Sequence, residues 1–137
     1  MAKTFHLEIL TPERVLFSGE VLSLKAPGVL GQFQLLAQHA PLVAQIDIGV
    51  LEVVFPNGLR RYFATSGGFV EVKANRAVVL AEAAEAAEEI DIPRAQAALQ
   101  RAQQRLREPN WDRARAEAAL KRAQNRLQVA ARYGEAG

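Results

Sequence analysis

Apolar and polar residues alternate from the start of the chain. Phe5, Leu7 and Ile9 interleave with His6 and Glu8, the period-2 sign of a strand with one buried face. Thr11-Pro12-Glu13-Arg14 then reads as a turn. Val15–Phe17 and Val21–Ala26 are short apolar runs, separated by Ser18-Gly19-Glu20 and closed by Pro27-Gly28. Gly49–Phe55 and Leu59–Thr65 flank Pro56-Asn57-Gly58. Asn-Gly between two β-rich runs predicts a hairpin, since both residues tolerate positive φ. Ser66-Gly67-Gly68 predicts a further break, followed by a hairpin of Phe69–Lys73 and Arg76–Ala81 around Ala74-Asn75. Short strands at near-regular spacing predict a sandwich or barrel in preference to a βαβ arrangement.

Near residue 88 the period changes. Ile92, Ala95, Leu99, Ala102 and Leu106 follow a 3-4-3-4 spacing, one stripe on one helix face. Asp91 is placed to cap that helix, and Pro93 falls in the first turn, where a missing N–H costs nothing. Glu108-Pro109-Asn110 stops it, and Asp112 can cap a second helix with the stripe Ala116, Leu120, Ala123, Leu127 and Ala130. Two stripes joined by a short polar loop make an antiparallel two-helix hairpin. The predicted fold is thus a segregated α+β chain: a β-sandwich N-terminal domain, 1–88, and a C-terminal helical hairpin, 89–137. Half of the ten stripe positions are alanine. Such a seam buries little area, at roughly 25 cal/mol per Å2, while alanine favours helix whatever it packs on. A hairpin built this way can open and stay helical, as a two-position lever would.

Charge divides at the same place. Residues 1–90 carry 7 Lys/Arg against 10 Asp/Glu, net −3; residues 91–137 carry 10 against 5, net +5. A mildly acidic body with a basic arm suggests a docking module, not a catalyst. The 137 residues allow one full domain, or a small one with an appendage. With no cysteine there is no disulfide, thiolate metal site or Cys nucleophile. The opening Met1-Ala2-Lys3-Thr4-Phe5-His6 has no long apolar stretch, so no signal peptide is expected, and no run of eighteen apolar residues occurs anywhere. Nucleic-acid binding would call for a denser basic patch with aromatic platforms; the arm has only Trp111 and Tyr133.

Candidate chemistry is sparse. His6 lies on the polar side of the first strand and is expected to be exposed. His39, in Gln38-His39-Ala40-Pro41-Leu42, is expected in a loop, where an interface or structural role fits better than catalysis. No serine, aspartate or second histidine completes a triad, and neither Gly28-Val29-Leu30-Gly31 nor Gly67-Gly68 continues into a phosphate loop. Glu82, Glu85, Glu88 and Glu89 read as a solvated linker, since carboxylates at this spacing are a weak cation signal. No metal is expected. The arginines hold more. Arg94 and Arg101 are a heptad apart on the first helix, with Arg105 following; Arg122 and Arg126 are four apart on the second. In a closed hairpin they could converge on a phosphate chain or a run of carboxylates. The alternative is the solvated side of two amphipathic helices.

The order of motifs resembles the epsilon-subunit family of bacterial F-type ATP synthases, called delta in mitochondria, over nearly the whole length. The opening 5–13 is similar to that family's first strand and turn. Gly31–Val43 resembles its central loop motif, Ser66–Val72 its second strong motif, and Glu89-Ile90-Asp91 with Ala119–Leu127 its C-terminal hairpin. The resemblance implies a ten-stranded sandwich followed by two helices, in a non-catalytic rotor subunit of the central stalk. The sandwich would bind the gamma subunit and the c-subunit ring, peripheral to the cytoplasmic face of the cell inner membrane. The arm would inhibit hydrolysis when extended toward the catalytic alpha and beta subunits. It implies partner contacts at Gln32, His39, Arg113, Arg115, Lys121 and Arg122. No cofactor is required, but some family members bind ATP on the folded hairpin. The associated motif stands here as Ile90-Asp91-Ile92-Pro93-Arg94-Ala95, with Glu85, Arg101, Arg122 and Arg126 matching the other nucleotide contacts. A stand-alone ATP-binding sensor module is the alternative. Departures are Ala37, where the family often has proline two residues before the loop histidine, Trp111 between the helices, and Pro93 within the motif.

Overall fold

The computed structural model describes residues 3–135; Met1 and Ala2, part of the opening considered for a leader, lie outside that range. The chain divides into two units, 1–86 and 87–137. The first is all β. β1 (Phe5–Leu10), β2 (Val15–Val21), β3 (Ser23–Gly28), β4 (Gly31–Leu36), β5 (Leu42–Val54), β6 (Arg60–Lys73), β7 (Arg76–Ala81) and β8 (Ala84–Ala86) pair in the order β2-β1-β7-β6-β5-β3-β4, with β8 also on β6. β1 and β7 run parallel; the other pairs are antiparallel.

The pairing folds this sheet into two layers. The start of β5 and the end of β6, paired as Leu42↔Val72 to Ile46↔Gly68, join β7, β1 and β2. The end of β5 and the start of β6, paired as Val50↔Ala64 to Val54↔Arg60, join β3, β4 and β8. The two long strands therefore serve both layers, and eight strands supply ten strand segments, five to a layer. The inward residues are Ile46, Val70 and Val72 in one layer but Leu51, Val53 and Phe63 in the other. Residue parity changes, so opposite faces of the β5–β6 ribbon are covered on the two sides of the corner. Phe5, Leu7, Ile9, Val21, Leu24, Leu35 and Val79 complete the core.

Two expected breaks are absent. Ser18-Gly19-Glu20 does not divide β2: Gly19 lies opposite Leu7 and Glu20 opposite His6, in extended backbone on an edge strand. Ser66-Gly67-Gly68 does not end a strand either, because it forms the corner of β6, with Gly67 at φ 108° and Gly68 at φ 144°. A Cβ on Gly68 would strike the backbone of Leu80 and Ala81, so glycine here serves a bend between layers and not a stop. The expected 56–58 hairpin forms with a different turn. Only Gly58 has positive φ, at 86°. Phe55 N–H donates to Leu59 O at 2.8 Å and Gly58 N–H to Phe55 O at 2.9 Å, a three-residue loop with glycine in the left-handed position. The Asn57 side chain instead accepts Leu59 N–H at 3.0 Å.

The second unit begins with a 3-10 turn, Ala87–Glu89, then α1 (Ile92–Leu106) and α2 (Arg113–Tyr133). Of Glu82, Glu85, Glu88 and Glu89, read as a solvated linker, Glu82, Glu88 and Glu89 are exposed, but Glu85 is half-buried in β8 opposite Ala64, and Glu88 and Glu89 are ordered in this turn. Asp91 and Asp112 cap the helices, their carboxylates accepting Arg94 N–H at 3.0 Å and Arg115 N–H at 3.2 Å. The connection 107–112 is short, so α2 returns antiparallel along α1. Ala95 and Ala102, and Ala116, Ala123 and Ala130, are the buried stripe residues. Leu99, Leu106, Leu120 and Leu127 are half-buried and Ile92 is exposed. α2 also packs on the 3-10 turn, and Val129, outside the expected stripe, is buried.

Candidate functional site

On the hairpin, the segment Ile90–Ala95 is built mostly for local structure. Asp91 is the N-cap, Ile90 precedes it and Ala95 is the fourth helical residue; Ile90 and Ala95 are both buried, at the two positions of a hydrophobic staple. Pro93 at the second helical position forgoes no intrahelical bond. That leaves the Arg94 guanidinium as the group of this segment with no structural duty, and it is exposed.

Helical geometry then sorts the other cations. At 100° per residue, Arg94, Arg101 and Arg105 on α1 and Arg115, Arg122 and Arg126 on α2 all fall roughly 60–100° to the same side of their helix's buried alanines. In an antiparallel pair, equal offsets from the seam lie on the same side of the two-helix layer. One edge of the hairpin therefore carries six arginines. Arg94, Arg101, Arg115 and Arg122 are exposed, and Arg126 and Arg105 half-buried. The Arg105 guanidinium stacks over the Trp111 ring, 4.3 Å from its centroid, which gives the tryptophan between the helices a place. Arg113 and Lys121 lie off this edge by the same geometry; both are exposed, and Arg113 pairs with Glu117 at 3.1 Å. Glu85 belongs to the β unit, half-buried on β8. Among the described residues, no group of three or more metal-ligating side chains comes together.

On the β unit, Gln32 is exposed on the edge strand β4, opposite Pro27, and His39 is exposed in the 37–41 loop with Nδ1 2.7 Å from Ala40 O. His6 is half-buried, not exposed: Nδ1 is 3.4 Å from Glu20 Oε2, and Nε2 is 3.3 Å from Ser18 Oγ. The paired strand β2 brings these groups over it.

A further surface feature is not evident from the sequence pattern. Leu10 is paired with Val15 on one side and Leu80 on the other; Leu80 pairs with Phe69, and Phe69 with Gln45. Val43 is the diagonal neighbour of Phe69. Val15 is 59% exposed, Leu80 49%, Phe69 51% and Val43 70%, with Leu10 half-buried. An apolar band thus crosses five strands on the outward face of one layer, where a water-facing sheet should be polar. Alternation hides it: Phe69 and Leu80 sit among core residues in apolar runs that read as buried on both faces.

Two family models match in tandem: ATP synthase, Delta/Epsilon chain, beta-sandwich domain at residues 4–87, and ATP synthase, Delta/Epsilon chain, long alpha-helix domain at 88–131. The ATP synthase epsilon chain of Desulforamulus reducens is 52% identical over 106 residues, 77% of this chain and 80% of that one. That of Carboxydothermus hydrogenoformans is 51% identical over 106 residues, 77% and 78% of the two chains. A chain in the cryo-EM structure of Euglena gracilis mitochondrial ATP synthase, OSCP/F1/c-ring, superposes with a TM-score of 0.79 at 25% identity, over 93% of this chain and 81% of that one.

Proposed function

Because the chain belongs to the ATP synthase delta/epsilon family, we propose that it is a non-catalytic rotor subunit of the central stalk, docked through its β unit and regulating hydrolysis through its helices. The observation that carries the docking half is the apolar band Val15–Leu10–Leu80–Phe69–Val43. An obligate partner surface is apolar at its centre, and the gamma subunit is the partner this reading assigns to it. Gln32 and His39, both exposed, would face gamma or the c-subunit ring. The chain would lie on the cytoplasmic face of the cell inner membrane, held there by its partners; none of the described helices is long and apolar enough to cross a membrane.

Extended, the basic arm would present Arg113, Arg115, Lys121 and Arg122 to acidic segments of the catalytic alpha and beta subunits and so inhibit hydrolysis. Folded, its arginine edge fits a nucleotide triphosphate: Arg94, Arg101, Arg122 and Arg126 offer guanidiniums to a polyphosphate. Ile90, Asp91 and Ala95 would then act by fixing the first turn that presents Arg94. Bound ATP would thus supply a bridge of negative charge that keeps the arm folded.

Co-purification tests the docking half. The full chain should bind gamma at micromolar concentration, and Phe69→Asp should weaken binding at least tenfold, as removal of a central apolar anchor does. A variant that binds gamma as the parent does would overturn the assignment of the band.

A further inference from the structure

The loop 37–41, between β4 and β5, has no residue suited to a positive φ. It lacks glycine, and its one proline, Pro41, stands at its end. Yet Gln38 is held at φ 64°, a region that ordinary side chains enter only when their surroundings impose it. The imposing group is Asn75, in the β6–β7 hairpin. Its Oδ1 accepts Gln38 N–H at 2.8 Å, its Nδ2 donates to Thr4 O at 3.0 Å, and its backbone O accepts His6 N–H at 3.2 Å. One residue thus ties the β6–β7 turn to the start of β1 and to the loop bearing His39.

The turn alone does not account for these contacts of the asparagine side chain. Lys73 pairs with Arg76, so the loop has two residues, Ala74 at φ 51° and Asn75 at φ 60°. Such a turn favours glycine at its second position. Asparagine is also admitted there, and here both ends of its amide are used outside the turn.

We propose that Asn75 is a positioning residue for partner binding: it fixes loop 37–41 so that His39, with the exposed Val43 at the start of β5, meets the partner preformed. Val43 stands two residues after the loop and belongs to the apolar band, so loop and band are continuous. The proposal rests on the reading that gamma covers this band.

The test uses the full chain and purified gamma. Asn75→Gly keeps the turn and removes only the amide; Asn75→Asp keeps the acceptor for Gln38 N–H but sets a carboxylate against Thr4 O. Hydrogen exchange of the free chain should show the Gln38 amide opening about tenfold or more faster in Asn75→Gly, and much less so in Asn75→Asp. The Kd for gamma should rise about fivefold in Asn75→Gly, with Asn75→Asp between it and the parent, as expected when the competent loop conformation becomes a minor population. The Tm of Asn75→Gly should fall only modestly, because two hydrogen bonds are lost while the turn is relieved of a side chain at φ 60°. Unchanged Gln38 exchange in Asn75→Gly would overturn the clasp, and unchanged affinity would overturn its role in docking. An equal loss of affinity in a variant lowered to the same Tm by a core substitution such as Val79→Ala would also overturn it, reducing Asn75 to a general stabiliser. If the parent chain itself ignores gamma, the docking reading fails, and the exchange measurement still decides the clasp.

Discussion

Arg94 shows how one residue can be separated from its motif. Asp91, Ile90 and Ala95 are accounted for by a cap and two buried staple positions, which any well-made helix start could use. The arginine is not. Of the four arginines assigned to the nucleotide, Arg126 lies nearest the seam and is half-buried, so its charge is the least screened by water. Arg126→Ala should therefore weaken ATP binding at least several-fold in calorimetric titration, a charge-assisted contact being worth about 1.5–3 kcal/mol. Equal affinity in the two proteins would remove Arg126 from the site. Single residues were legible where their chemistry is local. Asp91 and Asp112 could be read as caps because a cap and the amide it accepts are three residues apart. The roles of Asn75 and Gly68 could not, since Asn75 reaches 37 and 71 residues away and Gly68 is constrained by Leu80 across a strand pair.

Among elements, the helices were the more readable. Their stripe, caps and stop signals act within a few turns, and the buried alanines Ala95, Ala102, Ala116, Ala123 and Ala130 fall on it. Strand limits were less so. A glycine pair ends a strand in one setting and bends it between layers in another, and only the partner strands distinguish the two. Ten strands follow from the resemblance; eight form, because β5 and β6 each pass through both layers. The alanine seam bears on mechanism. Close packing across methyl groups leaves no room for a larger side chain, so Ala102→Leu should wedge the helices apart at a cost of about 1–3 kcal/mol. Far-ultraviolet circular dichroism should stay unchanged while the distance between spin labels on α1 and α2 grows. Loss of helix along with separation would show that the helices depend on each other and cannot act as a lever.

At the scale of the molecule, the two halves differ in what holds them. The β unit has a core of large side chains, Phe63, Leu7, Ile9, Leu24, Leu35 and Leu51 among them, each fully buried; the helical unit buries alanines and one valine along its helices. A firm body and an arm with an alanine seam, net −3 and +5 over 1–90 and 91–137, suit a part that stays docked while its arm changes position. The sequence carried this division in its period and charge. It did not carry the apolar band, because outward and inward apolar residues look alike until strand partners are known. The regulatory claim is tested most directly by the ATP hydrolysis rate of the assembled synthase, with the full chain and with residues 89–137 deleted. The account predicts intact assembly and faster hydrolysis without the arm. An unchanged rate in a fully assembled complex would contradict it.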